Sequence, residues 1–334
     1  MYFKNYLWKS ILSFLLLIPV AFLPYFAVSE ASGQDFPSRP VKIVVPFAAG
    51  GVSTVIWRSI ADPMSKVLGQ PVVIENKPGG GMSLAYTLVA NSKPDGYTTG
   101  AAPINALTNT YLAFKVAYHP IKNFVHIGGI WRYNEVFAIK ADARWKNWQS
   151  FYDYVKKNPN QVKVGFSNPI GSGVVTMKWI AKKNNLVWNE VTFTSEAECI
   201  TALLGGHIDA FVGAGVVHTL LRDGRGRAIL AITLERVPDY PEVPTAYELY
   251  KINAFNAAGL VGPAGIPKKI VKKLEAALYE GTKSPEYIAT IKKMGAVVRW
   301  RNGEEFTQDV KEIYATQKEL LKSAGLLRKE AEKD

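Results

Sequence analysis

Residues 41–54, which read VKIVVPFAAGGVST, decide the fold of this chain. The β-branched run Val41–Val45, followed by a proline, is typical of a short buried strand. The pair Gly50-Gly51 then allows a tight turn, and apolar residues at helical spacing continue to Leu68, where Gly69 provides a C-cap. This stretch therefore predicts a strand, a glycine loop and a helix, which is the unit from which parallel sheets are built.

The same alternation continues along the chain. Alternating strands and helices at this spacing indicate an α/β protein with βαβ units. Pro63 is expected to kink or divide the first helix. Further strands are predicted at residues 72–74, 97–102, 136–141, 162–167, 191–194, 210–213 and 228–233. Helices are predicted at residues 53–68, 84–90, 148–157, 174–184, 197–204, 267–280, 285–294 and 303–323.

The length of 334 residues favours two domains. Two glycine-containing stretches, residues 128–130 and 255–263, are interpreted as crossings between them. Residues 34–131 and 254–334 would then form one lobe, and residues 132–253 would form a second lobe inserted into it. A ligand would lie in the cleft between the lobes, near the carboxyl ends of strands.

Residues 1–33 have the layout of a signal peptide for export. Two lysines precede a nearly unbroken apolar run, residues 11–23, and small residues follow it. A permanent transmembrane anchor is the alternative, but two prolines interrupt the ~20 apolar residues that an anchor needs. We expect cleavage near Ala31 or Gly33 and an exported mature protein.

The composition excludes several classes of protein and site. With 48% hydrophobic and 20% charged residues, the chain is globular rather than disordered. The net charge is +12, but the basic residues are dispersed as pairs along predicted helices, which favours solvated helix faces over a nucleic-acid groove. One cysteine excludes an internal disulfide and a CxxC zinc site, and none of the four histidines has HExxH spacing. We expect no metal and no cofactor.

Motifs for nucleophilic catalysis are missing. No serine has the GxSxG context, and Cys199 on a predicted helix is interpreted as a buried structural residue. His207 and Asp209 have the spacing of a base and its orienting acid, although a polar turn before the next strand is the favoured interpretation. Glu196 and Glu198 would point apart on a helix. The sequence thus predicts a protein that is not an enzyme, with a secreted α/β hydrolase as the enzymatic alternative.

Three strand-to-helix loops, at residues 46–54, 75–83 and 167–173, are rich in glycine. Free backbone N–H groups and the helix dipole at such junctions favour an anion. An ordinary loop explains the first of them equally well. The second loop does not complete GxGxxG, and the third lacks the lysine of a phosphate-binding loop. The loops therefore indicate an anion site without identifying the anion.

Seven short motifs occur together in one order along the chain. With them the chain resembles the periplasmic substrate-binding proteins of tripartite tricarboxylate transporters, the Bug receptors, over residues 36–327. The motifs are FPSRP (36–40), VVPF with the following AAGG (44–51), GQPVVIENKPG (69–79), PDGYT (94–98), LLGGHID (203–209), VPT (243–245) and GPAGIP (262–267).

This resemblance implies a two-lobed periplasmic-binding-protein fold of type II, the Venus flytrap, with a mixed sheet flanked by helices in each lobe. It implies a monomeric receptor that closes on a small organic carboxylate and delivers it to a membrane permease. A periplasmic ligand sensor and an ABC-type receptor remain alternatives. Carried over by position, the ligand-binding residues are expected to be Phe47, Ala49, Gly50, Ser53, Thr54, Ala102, Pro103, Asn105, Asn168, Gly171, Ser172, Thr194 and Ser195.

The chain departs from the family pattern in the expected cleft. Val52-Ser53-Thr54 stands where Gly-Thr-Asp is common, and Phe193-Thr194-Ser195 where Tyr-Lys-Gly is common. Gly213 stands where an acidic residue is frequent, and the third loop is one residue short. Trp57 and Phe166 are expected to add bulk nearby. These changes predict a less charged cleft and a carboxylate ligand whose distal part is less polar than a small diacid.

Overall fold

Two β-sheets organise the chain. The computed structural model describes residues 35–333, and the chain from Pro37 onward forms one unit. The predicted signal peptide, residues 1–33, lies outside the described residues. The six-stranded sheet contains β1 (Val41–Val45), β2 (Val72–Asn76), β3 (Thr98–Pro103), β4 (Phe124–Tyr133), β10 (Asn256–Pro263) and β11 (Ala296–Asn302). The five-stranded sheet contains β5 (Val136–Lys140), β6 (Lys163–Phe166), β7 (Asn189–Thr192), β8 (Ala210–Gly213) and β9 (Gly226–Ala231).

Both sheets combine parallel and antiparallel pairs. In the first, the order is β2-β1-β3-β10-β4-β11; β1 runs parallel to β2 and β3, and β10 runs antiparallel to β3 and β4. In the second, the order is β7-β6-β8-β5-β9; β6 runs parallel to β7 and β8, and β5 runs antiparallel to β8 and β9. The mixed sheets that the family resemblance implied are confirmed.

Helices flank both sheets, and their ends follow local sequence signals. Helix α1 ends at Gly69, which adopts a left-handed φ of 69°, and α11 begins at a capping box formed by Asn302 and Glu305. Among residues 35–333, no helix has both the length and the apolar character that crossing a bilayer requires. The helices are α1 (Val52–Leu68), α2 (Ser83–Ala90), α3 (Ile104–Ala113), α4 (Trp148–Lys157), α5 (Ser172–Asn184), α6 (Glu196–Leu204), α7 (Val217–Arg222), α8 (Ala246–Tyr250), α9 (Lys268–Thr282), α10 (Pro285–Lys293) and α11 (Gly303–Ser323).

Strands β4 and β10 differ most from the sequence-based expectation. Residues 128–130 and 255–263 were interpreted as crossings, but they lie within or beside two adjacent antiparallel strands of the first sheet. Glycine is required there because α11 packs directly onto the strands. A Cβ on Gly129 would lie 2.9 Å from the ring of Phe306, and one on Gly259 would lie 2.1 Å from the carbonyl oxygen of Gly128. Helices α3, α7 and α8 and strand β11 were also absent from the prediction.

The Gly259→Ala variant tests this close packing. The added methyl group would meet a backbone oxygen that cannot move without breaking the β4–β10 pairing, so we expect a loss of about 3 kcal/mol of stability. Gly215→Ala is the control, because the nearest atom to a Cβ there would be Glu196 Oε2 at 3.9 Å, an ordinary contact distance. Urea unfolding measures both variants. A Gly259→Ala variant no less stable than Gly215→Ala would contradict the packing.

Helix α1 continues through Pro63, so this proline does not divide the helix. The helix is unbroken from Val52 to Leu68. Ile60 before the proline and Met64 after it are both fully buried, and a Cβ on Gly281 of α9 would lie only 2.6 Å from Ile60. Tertiary packing on both sides of Pro63 therefore holds the segment helical despite the missing backbone donor.

Candidate functional site

A cavity of about 330 Å³ lies between the two sheets, within the size range of small-molecule sites. We call the part of the chain built on the six-stranded sheet lobe 1 and the part built on the five-stranded sheet lobe 2. Lobe 1 lines the cavity with Phe47, Gly51, Val52, Ser53, Met82, Pro103, Asn105, Ala106, Asn109, Tyr133 and Asn256. Lobe 2 lines it with Glu135, Ser167, Asn168, Ile170, Gly171, Ser172, Val174, Glu196, Val212, Gly213 and Ala214.

Among the described residues, four helices begin at the cavity: α1 and α3 from lobe 1, and α5 and α6 from lobe 2. Near the first turns of α1, α3 and α5, Ser53 Oγ, Asn105 Oδ1 and Ser172 Oγ are buried without a hydrogen-bond partner. A buried polar atom left unpaired costs about 1–3 kcal/mol. The helix N-termini also carry unpaired N–H groups and partial positive charge. The free N–H groups and the hydroxyls of Ser53 and Ser172 can therefore donate to an anionic group, whereas Asn105 Oδ1 can only accept from a donor.

The residues predicted for the ligand site divide into two groups. One group lines the cavity, with contributions from both lobes. These residues are Phe47, Ser53, Pro103, Asn105, Asn168, Gly171 and Ser172. The other group lies outside the lining and has other surroundings. These residues are Ala49, Gly50, Thr54, Ala102, Thr194 and Ser195.

The residues outside the lining serve local structure. Thr54 donates a hydrogen bond to the carbonyl oxygen of Ala48 (3.3 Å) and accepts one from Asn76 Nδ2 (2.8 Å), which joins the end of β2 to the first loop. Thr194 and Ser195 bond Glu198 around the N-terminus of α6, with Ser195 Oγ accepting from the Glu198 N–H at 3.2 Å. Ala49 and Gly50 are exposed in the first loop, and Ala102 is buried within β3.

Glu135 and Glu196 are acidic residues that line the cavity and that the predicted site did not include. Glu135 is only 6% exposed and lies directly before β5, on the connection from β4. The Oε1 atom of Glu196 lies 2.5 Å from the point where a Cβ on Gly213 would be, so Glu196 supplies an acid where the family pattern seemed to have lost one. The available signal was an acidic residue beside the apolar run at residues 136–139.

Burial governs the charge state of both acids. It raises the pKa of Glu135 to about 7. The N–H of Gly173 lowers this pKa, and the negative charge of Glu196 raises it. Burial also raises the pKa of Glu196, against hydrogen bonds from the N–H groups of Val217 (2.6 Å) and Gly215 (3.3 Å). Among the described residues that line the cavity, none is lysine, arginine or histidine. No cation in the lining therefore balances the two acids.

The lobes are bonded to each other beside the cavity. Asn109 Nδ2 of α3 donates to the carbonyl oxygen of Ile170 in lobe 2 (2.7 Å) and to Gln317 Oε1 of α11 (3.1 Å). On the outer surface, Lys182 Nζ of α5 donates to the carbonyl oxygen of Ser323 (2.7 Å). These hydrogen bonds join the two lobes in the described structure, beside the cavity and on the outer surface.

Trp57 and Phe166 do not line the cavity, which corrects the expectation that they add bulk there. Trp57 is fully buried on α1 and packs edge-on against Trp131, with ring centroids 5.5 Å apart. Phe166 is buried at the end of β6 within the core. The cavity is lined instead by the aromatic residues Phe47 and Tyr133 and by apolar side chains that include Met82, Ile170 and Val212.

Comparison with known proteins supports the resemblance found in the motifs. The model of the tripartite tricarboxylate transporter family receptor, TctC, matches residues 56–326. The UPF0065 protein in the gbd 5′ region of Cupriavidus necator is 30% identical over 303 residues, covering 90% of this chain and 92% of that protein. The periplasmic binding protein BugD is 29% identical, with a TM-score of 0.72 and coverage of 87% of this chain and 99% of that one.

A further solved structure shows a relative with its ligand. MatC from Rhodopseudomonas palustris, with bound malate, is 28% identical, with a TM-score of 0.71 and coverage of 86% of this chain and 100% of that one. The family match covers most of the chain, and the two mixed sheets with a cavity between them are consistent with it. This chain belongs to the tripartite tricarboxylate transporter family of periplasmic receptors.

Proposed function

We propose that this protein is a receptor that binds a small organic carboxylate in the cavity between its lobes and delivers it to a membrane permease. The observation that carries the proposal is the cavity itself, where the N-termini of α1 and α3 face lobe 2 and the Ser53 hydroxyl, a potential donor, is buried and unpaired. Binding would favour closure because a ligand contacts both lobes only when they are closed.

The proposed site comprises the predicted residues that line the cavity together with Glu135 and Glu196. MatC binds malate, which is a carboxylate. In this chain, the first glycine loop offers backbone N–H donors to a carboxylate at the start of α1. The same proposal includes the lobe boundaries, with residues 34–131 and 254–334 in lobe 1 and residues 132–253 in lobe 2. It also includes a monomeric state and cleavage near Ala31 or Gly33.

Thermal unfolding of the mature chain against a ligand panel tests the proposed function. The panel contains mono-, di- and tricarboxylates, aromatic acids, amino acids and sugars. A ligand at 100 times its dissociation constant stabilises the protein by about 2.7 kcal/mol, so we expect a clear rise in the unfolding midpoint for members of one acid class.

The neutral members of the panel serve as the control. Sugars should leave the midpoint unchanged, because they bring no negative charge to the helix N-termini. A shift with sugars alone, or with no member of the panel, would contradict the carboxylate proposal.

A further inference from the structure

The cavity has no basic side chain that could balance an anionic ligand. In the described lining, lobe 2 contributes the carboxyl groups of Glu135 and Glu196, and neither lobe contributes lysine, arginine or histidine. The proposed function places a carboxylate in this same volume of about 330 Å³. If both acids were charged, the ligand would bring a third negative group. Binding is therefore favoured when one of the two acids is neutral.

The two acids lie beside consecutive residues of β8. A Cβ on Gly173 would meet Val212 Cγ1 at 2.3 Å and Glu135 Oε1 at 2.6 Å. A Cβ on Gly213 would meet Glu196 Oε1 at 2.5 Å. The two carboxyl groups are thus neighbours on the lobe 2 wall, and the negative charge of Glu196 opposes ionisation of Glu135.

Hydrogen bonding distinguishes Glu135 from Glu196. Glu196 accepts hydrogen bonds from the N–H groups of Val217 (2.6 Å) and Gly215 (3.3 Å), which favour its charged form. Glu135 is 6% exposed, and its Oε2 is buried without a hydrogen-bond partner. A proton on Oε2 would turn this unpaired acceptor into a donor, and a carboxylate in the cavity would provide the acceptor.

The surroundings of Glu135 allow either charge state near neutral pH. Burial raises the pKa of Glu135 to about 7, although the N–H of Gly173 and the hydroxyl of Ser172 favour its charged form. Neither Ser172 Oγ nor Glu135 Oε2 forms a hydrogen bond in the described structure. A negative ligand favours the neutral form further, so the pKa of Glu135 should rise when a carboxylate binds.

From this arrangement we propose that the receptor takes up one proton with each carboxylate that it binds, and that Glu135 holds this proton on Oε2. This inference rests on the proposed function and describes the charge balance of its site. The proton comes from the solvent, the Oε2–H group donates to an oxygen of the ligand, and the ligand itself stays ionised. When the ligand leaves above pH 7, Glu135 returns the proton to the solvent. The receptor thus carries an anion and a proton together.

Isothermal titration calorimetry in two buffers counts the protons. The mature protein is titrated with malate, adipate and benzoate in HEPES and in Tris, which differ in their heats of ionisation. These acids are already ionised at pH 7 and pH 8, so an uptake of protons belongs to the protein. For each acid that binds, we expect about 0.9 proton per ligand at pH 8 and about half a proton at pH 7.

The pH dependence of affinity tests whether Glu135 is the group that takes the proton. The parent chain should bind the same acids at least about tenfold more weakly at pH 9 than at pH 7. Glu135→Gln keeps a neutral side chain with a donor at every pH, so its affinity should stay nearly constant and its proton uptake should disappear. Glu242→Gln, which changes an exposed acid outside the cavity, should weaken with pH as the parent does.

The other ionisable groups around Glu135 separate from it in this range of pH. Burial raises the pKa of Tyr133, at the end of β4, to about 12 and lowers the pKa of His218 on α7, so both stay neutral from pH 7 to pH 9. Arg132 stays charged. Strand β8 and the first turn of α5 bring no ionisable side chain. Glu196 is the remaining acid of the lining, and its titration would persist in Glu135→Gln.

The outcomes separate this inference from the proposed function. If an acid of the panel binds without proton uptake, or equally well at pH 7 and pH 9, proton capture is wrong while the receptor function stands. Uptake that persists undiminished in Glu135→Gln would place the proton on another group and overturn the role of Glu135. Should that variant not fold, the heats of the parent chain in the two buffers still decide whether a proton is taken up. If no carboxylate binds at any pH, the proposed function fails and this inference fails with it.

Discussion

The Ser53→Asp variant is expected to bind carboxylates about 100-fold more weakly than the parent chain. Ser53 is 7% exposed, lines the cavity at the first turn of α1, and its Oγ has no hydrogen-bond partner. An aspartate there would place a second negative charge within a few ångströms of the ligand. At an effective dielectric constant near 20, two charges 4 Å apart repel by about 4 kcal/mol, and 2.7 kcal/mol corresponds to 100-fold.

Ser53→Asn is the matched comparison, because asparagine has nearly the shape of aspartate without its charge. The asparagine variant should lose much less affinity than the aspartate variant. Calorimetry with the carboxylate that stabilises the parent chain measures both. An acidic residue in the first turn of a helix is favourable for the helix, so Ser53→Asp should remain folded, as its thermal unfolding will show. Equal losses in the two variants would mean that the ligand's carboxylate lies elsewhere.

The Glu135→Gln variant is expected to be more stable than the parent chain at pH 8, by on the order of 3 kcal/mol. Burial raises the pKa of Glu135 from 4.5 to about 7. The folded state therefore holds this proton more tightly than the unfolded chain. Its contribution to stability is complete below pH 4.5 and is lost as the pH rises through about 7. Glutamine stays neutral at every pH and avoids this loss.

Urea unfolding of the ligand-free protein at several pH values measures the effect. The difference between variant and parent should be close to zero at pH 4.5 and should reach its full size at pH 8. Glu196, whose pKa is also raised by burial, titrates in both proteins, so the difference isolates Glu135. A constant difference across this pH range would show that Glu135 keeps an ordinary pKa in the folded protein.

Much of the fold could be predicted from local patterns. The β-branched run at β1, the C-cap Gly69 and the motifs spread over residues 36–327 led to an α/β protein with two lobes. Strands β4 and β10 escaped prediction because their glycines look like loop residues in sequence. These glycines are required by tertiary packing, because Phe306 of α11 and the backbone of Gly128 leave no room for a Cβ at Gly259.

The candidate site was predicted less completely. Glycine loops before helices identified Ser53 and Ser172 at the cavity, because helix N-termini carry a local signal. Glu135 and Glu196 carried no such signal, since their position in the cavity depends on how the two sheets face each other. Thr194 and Ser195, also predicted for the site, lie outside the cavity lining: short polar side chains suit a binding loop and a helix cap equally well, and here they bond Glu198 at the start of α6.

Glu135 stands on the short connection between Tyr133, the last residue of β4, and Val136, the first of β5, where the chain leaves one sheet for the other. The backbone that passes here from one lobe to the other thus carries the buried carboxyl group of Glu135. A ligand that engages Glu135 restrains this connection as well as filling the cavity. We therefore expect ligands to differ mainly in their dissociation rates. Compounds that fit the cavity but do not contact Glu135 should dissociate quickly, even where their association is fast.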